Sequence, residues 1–208
     1  GEPHTHTLAM HARVGGNWYD QADEGKKRGM SVTDKVALCA IAVLPWEERD
    51  KPTNYIVISD NAEAKWRIRQ AVQRVEAPPA GRNGERRRYN LSRGGDLDAL
   101  GVTNSSHRHW LSLLEVKVHE YVTGSRVLMV TRNATREGPL DIQQALVEMH
   151  FLAAAQTLVR TTGSTFSIIA YAFAPKRTFF VDEDTEACHM QASSEPLVWG
   201  TKSAVWGT

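Results

Sequence analysis

The chain is poor in cysteine, with only Cys39 and Cys188 in 208 residues. A secreted chain of this size usually carries several pairs, so the cytoplasm or another reducing intracellular compartment is expected. Long apolar runs are also missing, and no window reaches the roughly 18 apolar residues of a membrane span. Residues 1–17 are polar and hold His4, His6 and His11 where a signal peptide would need an apolar core. The first residue is Gly1 rather than methionine, which fits a processed or partial chain. Neither sign of charge dominates. The net charge is +1, so no global field draws in an anionic partner. The short motifs of common catalytic folds are absent too. No GxSxG, P-loop, GxGxxG, HExxH, CxxC or Pro-Cys-x-x-Cys occurs, which weighs against serine hydrolases, common nucleotide folds, zinc peptidases and zinc deaminases.

Hydrophobic residues make up 41% of the chain and charged ones 24%, enough apolar material for one well-formed core. The apolar pattern predicts a helix over 31–44, capped by Ser31 and stopped by Pro45. A strand over 55–59 follows, then Asp60 as N-cap. The next helix spans 61–76, with Ala64, Ile68, Ala71, Val72 and Val75 on one stripe. Proline and glycine break residues 77–95, and a hairpin around Gly94-Gly95 is expected there. Residues 105–122 read as a helix, although 115–122 alternates with period two and competes as a strand. A strand over 126–131, a helix over 140–160 and strands over 165–174 and 178–181 complete the core. No regular βαβ beat is visible. The expected fold class is therefore α+β or irregular α/β, a mixed sheet of about four to six strands covered by three to four helices. Residues 1–30 are expected to form an arm, 31–181 the core, and 182–208 a second arm ending in two Val-Trp-Gly-Thr repeats.

The functional signal is mainly arginine. Arginines outnumber lysines 17 to 8, and nine bases but only two acids lie between Lys65 and Arg93. Arg67 and Arg74 on the second helix, with Arg82, Arg86, Arg87, Arg88 and Arg93 after it, could track a phosphate backbone. Trp66 and Tyr89 would add stacking faces. Trp199 and Trp206, each followed by glycine, have the form of aromatic anchors for a partner chain or a second copy of this one.

Catalytic candidates are sparser. Gly94-Gly95-Asp96 between two short predicted strands resembles the metal-binding hairpin of diguanylate-cyclase-type nucleotidyl cyclases, with Leu97 in place of the next acid and Asp98 one residue later. That resemblance covers only a few residues. His107, His109, Glu115 and His119 could converge only if the chain folds back, and no metal-ligand spacing is met. Cys39 sits in an apolar stretch, as inert core thiols do. No cofactor is specified. These observations favour a non-enzymatic nucleic-acid- or partner-binding subunit of an assembly. The alternative is a small toxin-like enzyme acting on a nucleotide or nucleic acid, with Asp96, Asp98, His107, His109 or Glu115 doing the chemistry.

Overall fold

The computed structural model describes residues 5–14, 31–44, 51–76, 85–90, 113–132, 139–173, 177–182 and 187–191. Twelve elements lie in them. In chain order they are β1 (His6–Ala12), α1 (Ser31–Ala42), β2 (Thr53–Ser59), α2 (Ala62–Glu76), β3 (Glu85–Asn90), β4 (Leu114–Tyr121) and β5 (Arg126–Arg132). Then come α3 (Pro139–Ala154), β6 (Thr157–Thr161), α4 (Thr165–Phe173), β7 (Arg177–Val181) and β8 (Cys188–Met190). The mixed sheet covered by helices is as expected. Its eight strands exceed the expected number.

The strands lie in the order β3-β4-β5-β2-β1-β6-β7-β8. The middle five, β5-β2-β1-β6-β7, are parallel. At the two margins, β3, β4 and β8 pair antiparallel. Among the parallel strands, the chain first steps outward from β1 to β2 and β5. It then returns to the other side of β1 for β6 and β7. Crossovers of one hand therefore place the first helices on one face and the last helices on the other. The core divides accordingly. Val36 and Ala40 of α1 and Ile68 and Val72 of α2 pack with Leu8, Met10, Tyr55 and Val57. Leu152 of α3 and Ala170 of α4 pack with Ala9, Ile56, Ile58 and Val130 on the opposite face. The βαβ beat that the sequence hid is thus present, interrupted by the β3–β4 hairpin.

Several expectations are corrected here. The supposed N-terminal arm contains β1, the central strand, whose His6 Nε2 lies 3.2 Å from Thr157 Oγ1. Residues 114–121 form a strand, so the period-two pattern decided that segment. The helix expected over 140–160 ends at Ala154, and all five residues of β6 are buried. A strand covered on both faces shows no polar alternation to read. Residues 165–173 are helical instead of extended. Gly163 turns the chain at φ 66°, and the Ser164 carbonyl accepts the Ile168 N–H at 3.2 Å, which starts the helix despite its β-branched and aromatic content. The C-terminal arm contributes β8. The Gly94-Gly95-Asp96 turn and both Val-Trp-Gly-Thr repeats lie outside the described residues.

The cysteines are not free. Cys39 of α1 and Cys188 of β8 form a disulfide across 149 residues of chain. Cys39 is therefore neither a free core thiol nor available as a nucleophile. Iodoacetamide is expected to label neither cysteine of the folded or denatured protein until a reductant is added. Labelling of denatured, unreduced protein, read by mass spectrometry, would contradict the pairing.

Candidate ligand site at the carboxyl edge of the sheet

In doubly wound sheets, ligands bind outside the carboxyl ends of the strands where the strand order reverses. Here that point lies between β1 and β6. Asp60, just after β2, accepts the Val14 N–H at 3.0 Å, and its other carboxylate oxygen pairs with Arg13 Nε at 3.2 Å. The Arg13 N–H donates to Thr161 Oγ1 at 3.1 Å. The chain leaving β1 is thereby held between the tips of β2 and β6, with the Arg13 side chain 35% exposed. Past β6, the Thr162 N–H donates to the Val181 carbonyl, and Ser167 Oγ donates to the Ser164 carbonyl at 3.1 Å in the first turn of α4. The leading N–H groups of a helix lack intrahelical acceptors, so α4 adds donors and positive potential at this edge.

A set of charged side chains borders the switch point. Lys65 of α2 is buried, and its Nζ donates to Thr131 Oγ1 at 2.9 Å. Arg132, at the end of β5, donates through Nε to Glu148 Oε2 at 2.8 Å. The guanidinium of Arg132 also lies 5.7 Å from the centre of the Phe166 ring, and the His11 ring is 5.5 Å from the same ring. Phe166 therefore links residues at the ends of β1 and β5. Arg132 remains 42% exposed while Glu148 is almost fully covered. The acid and the aromatic ring hold a guanidinium in place, and the guanidinium itself reaches solvent.

Burial moves the protonation of two of these groups in opposite senses. It pushes the Glu148 carboxyl above its usual value, against the lowering pull of Arg132 and Lys65. It pushes the Lys65 ammonium below its usual value, against the raising pull of Glu148 and Asp60. Strong desolvation beside specific charge partners is a common mark of a functional site.

The residues singled out from sequence do not assemble here. Arg67 is on the surface of α2, bound to Glu63 at 3.0 Å and within 3.8 Å of Asp34. Arg74 is exposed in the last turn of that helix. Arg86, Arg87 and Arg88 fall on β3, an edge strand, and their side chains are outside the described part. Four strand spacings separate β3 from β1, about 19 Å. Glu115 lies on β4 and pairs with Lys117 at 3.0 Å. Arg82, Arg93, Asp96, Asp98, His107, His109, Trp199 and Trp206 lie outside the described residues. Conversely, sequence reasoning passed over Arg13, Lys65, Arg132, Glu148 and Arg160. Only Lys65 left a local trace. It stands with Arg69 at i,i+4 beside the Ala64–Ile68 stripe, and both are buried.

No protein-family model matches this chain, and no curated protein matches it. Among solved structures, an arginine-to-lysine mutant of Arabidopsis thaliana FUT1 in complex with GDP is similar, with a TM-score of 0.44 and 16% identity. The match covers 90% of this chain and 33% of that one, so this chain spans a third of that protein's length. The arrangement of the sheet corrects the expected non-enzymatic nucleic-acid- or partner-binding subunit. The sheet gives the physical reason. Of the arginines assigned to that role, the described ones divide between the outer surface of α2 and the outlying strand β3, whereas buried Glu148, Arg160 and Thr161 lie on other elements and Lys65 is a buried residue of α2.

The raised Glu148 value carries a definite sign. The folded state holds this proton more tightly than the unfolded one, so the contribution to stability is full below pH 4.5 and is lost as pH rises through the folded value. Glu148→Gln is expected to gain stability relative to the parent protein between pH 4 and pH 7, measured as the difference in urea unfolding free energies. A relative loss over that range would show that Arg132 more than offsets burial.

Proposed function

We propose that this chain is the nucleotide-binding part of an enzyme that transfers a group from a nucleoside diphosphate donor. The observation carrying the proposal is the reversal of strand order between β1 and β6, with polar and charged groups clustered at that edge. Arg13 and Arg132 are cations held by carboxylates yet partly exposed, which suits contact with a diphosphate. Charge accumulates on a diphosphate as it leaves, and prepositioned cations lower the barrier to its departure. Of the two readings considered from sequence, this keeps an enzyme acting on a nucleotide.

The disulfide between Cys39 and Cys188 favours an oxidising compartment for this enzyme. Among the described residues no helix is long and apolar enough to cross a membrane.

Titration with GDP, UDP and ADP by calorimetry tests the proposal. At least one nucleotide is expected to bind, and Arg13→Ala and Arg132→Gln should each weaken it about tenfold or more, as loss of a charged hydrogen bond does. Arg74→Ala, on the outer surface of α2, should leave binding unchanged. Absence of binding to all three, or indifference to both site substitutions, would remove the proposal.

A further inference from the structure

Arg160 is the largest fully buried side chain among the described residues. It lies on β6 in register with His11 of β1, at the strand pair that forms the switch point. Its partners are all neutral. Nη2 donates to Gln191 Oε1 at 2.9 Å, and Nη1 reaches the Thr161 carbonyl at 3.4 Å. The guanidinium lies 5.7 Å from the centre of the Phe180 ring. No carboxylate pairs with it among the described residues. Nε of Arg160 has no acceptor, and neither does Nε2 of Gln191, the residue bonded to it. Two buried donors on adjoining side chains thus lack an acceptor beside a cation that has no counter-charge among the described residues. Either circumstance alone costs several kcal/mol in a protein interior. Burial pushes the guanidinium down to about 10, so it keeps its charge at neutral pH.

Among the described residues, β8 lies next to β7 on the side of the sheet nearest this cation's partner Gln191. Gln191 directly follows β8, a three-residue edge strand, and its N–H donates to the Thr178 carbonyl at 2.8 Å. His189 stacks on Phe180 at 5.3 Å, and Cys188 ties the strand to α1. The disulfide can hold the strand in position while the end of the Gln191 side chain moves.

We infer that Arg160 and Gln191 form a phosphate subsite, in which a phosphate oxygen takes the place of the Gln191 carbonyl oxygen on the guanidinium and accepts from the two unmatched donors. The inference rests on the proposed nucleotide reading for the source of the phosphate, and it extends the site from Arg13 and Arg132 to the buried side of β6. A phosphate supplies several acceptor oxygens and the missing negative charge, and a guanidinium fork matches its geometry.

The test uses Gln191→Glu, which places a carboxylate on Arg160 and so competes with a phosphate. Arg160→Gln serves as a second variant, with thermal unfolding as the check that each folds. Inorganic pyrophosphate, GDP and guanosine are titrated by calorimetry. Wild-type protein is expected to bind pyrophosphate and GDP. Gln191→Glu should weaken both about tenfold or more while still folding, as expected for losing a charged hydrogen bond. Guanosine affinity should stay unchanged. If Gln191→Glu binds pyrophosphate and GDP as the wild type does, the inference is overturned, and a loss of GDP binding in Arg13→Ala alone would leave the nucleotide reading standing. If pyrophosphate binds in a Gln191-dependent way but no nucleotide does, the subsite stands and the nucleotide reading fails. Binding of neither overturns both.

Discussion

Strand β1 pairs in parallel with β2 along its whole length and with β6 through residues 8–11. These two ladders occupy the middle of the sheet, and the remaining architecture follows from them. Parallel strands need crossovers, and the crossovers supply helices for both faces. Because β1 has the earlier strands on one side and the later strands on the other, the reversal of strand order falls beside it. The contacts that position Arg13 trace back to that placement. Arg13 and Val14 leave β1, Asp60 leaves β2, and Thr161 closes β6.

A second constraint is the cost of removing charge from water. At the carboxyl edge the protein buries Lys65, Glu148 and Arg160 in three different ways. Lys65 rests on a threonine hydroxyl within the field of three acids, Glu148, Asp60 and Glu115. Glu148 is paired directly with an arginine that reaches solvent. Arg160 has only neutral acceptors among the described residues. The first two arrangements also orient side chains, because Glu148 and Phe166 together restrict where the Arg132 guanidinium can point. The third gains nothing from its surroundings comparable to its desolvation, which is why a ligand charge is a natural complement. At the opposite edge of the sheet, Tyr55 and Thr123 both donate to Glu76, a closed arrangement that ties the end of α2 to the sheet.

The fold was most legible in elements with one face to the core and one face to water. Helix α2 shows this, with a stripe through Ala64, Ile68 and Val72 and charge elsewhere. Strand β4 does too, since Val116 and Val118 alternate with Glu115 and Lys117. Among strands covered on both faces, β2 was legible from its β-branched run, but β6 was not. The buried strand β6 merged with the helix before it, because Thr157 to Thr161 offers no polar beat. β1 was hidden for another reason. Its two histidines resemble a solvated tail until His6 meets Thr157 and His11 meets Phe166. The candidate site was harder still to read, since Arg13, Asp60, Thr161, Lys65, Arg132 and Glu148 come from five separate stretches of chain with no fixed spacing.

The amino-acid sequence by itself determined the class of the protein. Its apolar content supports a mixed α and β core, and local patterns place α1, β2, α2, β5 and β7 nearly where they lie. Tertiary structure alone decided that β1 is central, that the parallel order reverses between β1 and β6, and that Cys39 meets Cys188. The physical reason is range. Periodicity and capping act over one turn or one strand, whereas strand order and the burial of charge depend on which segments, often more than a hundred residues apart, exclude water together.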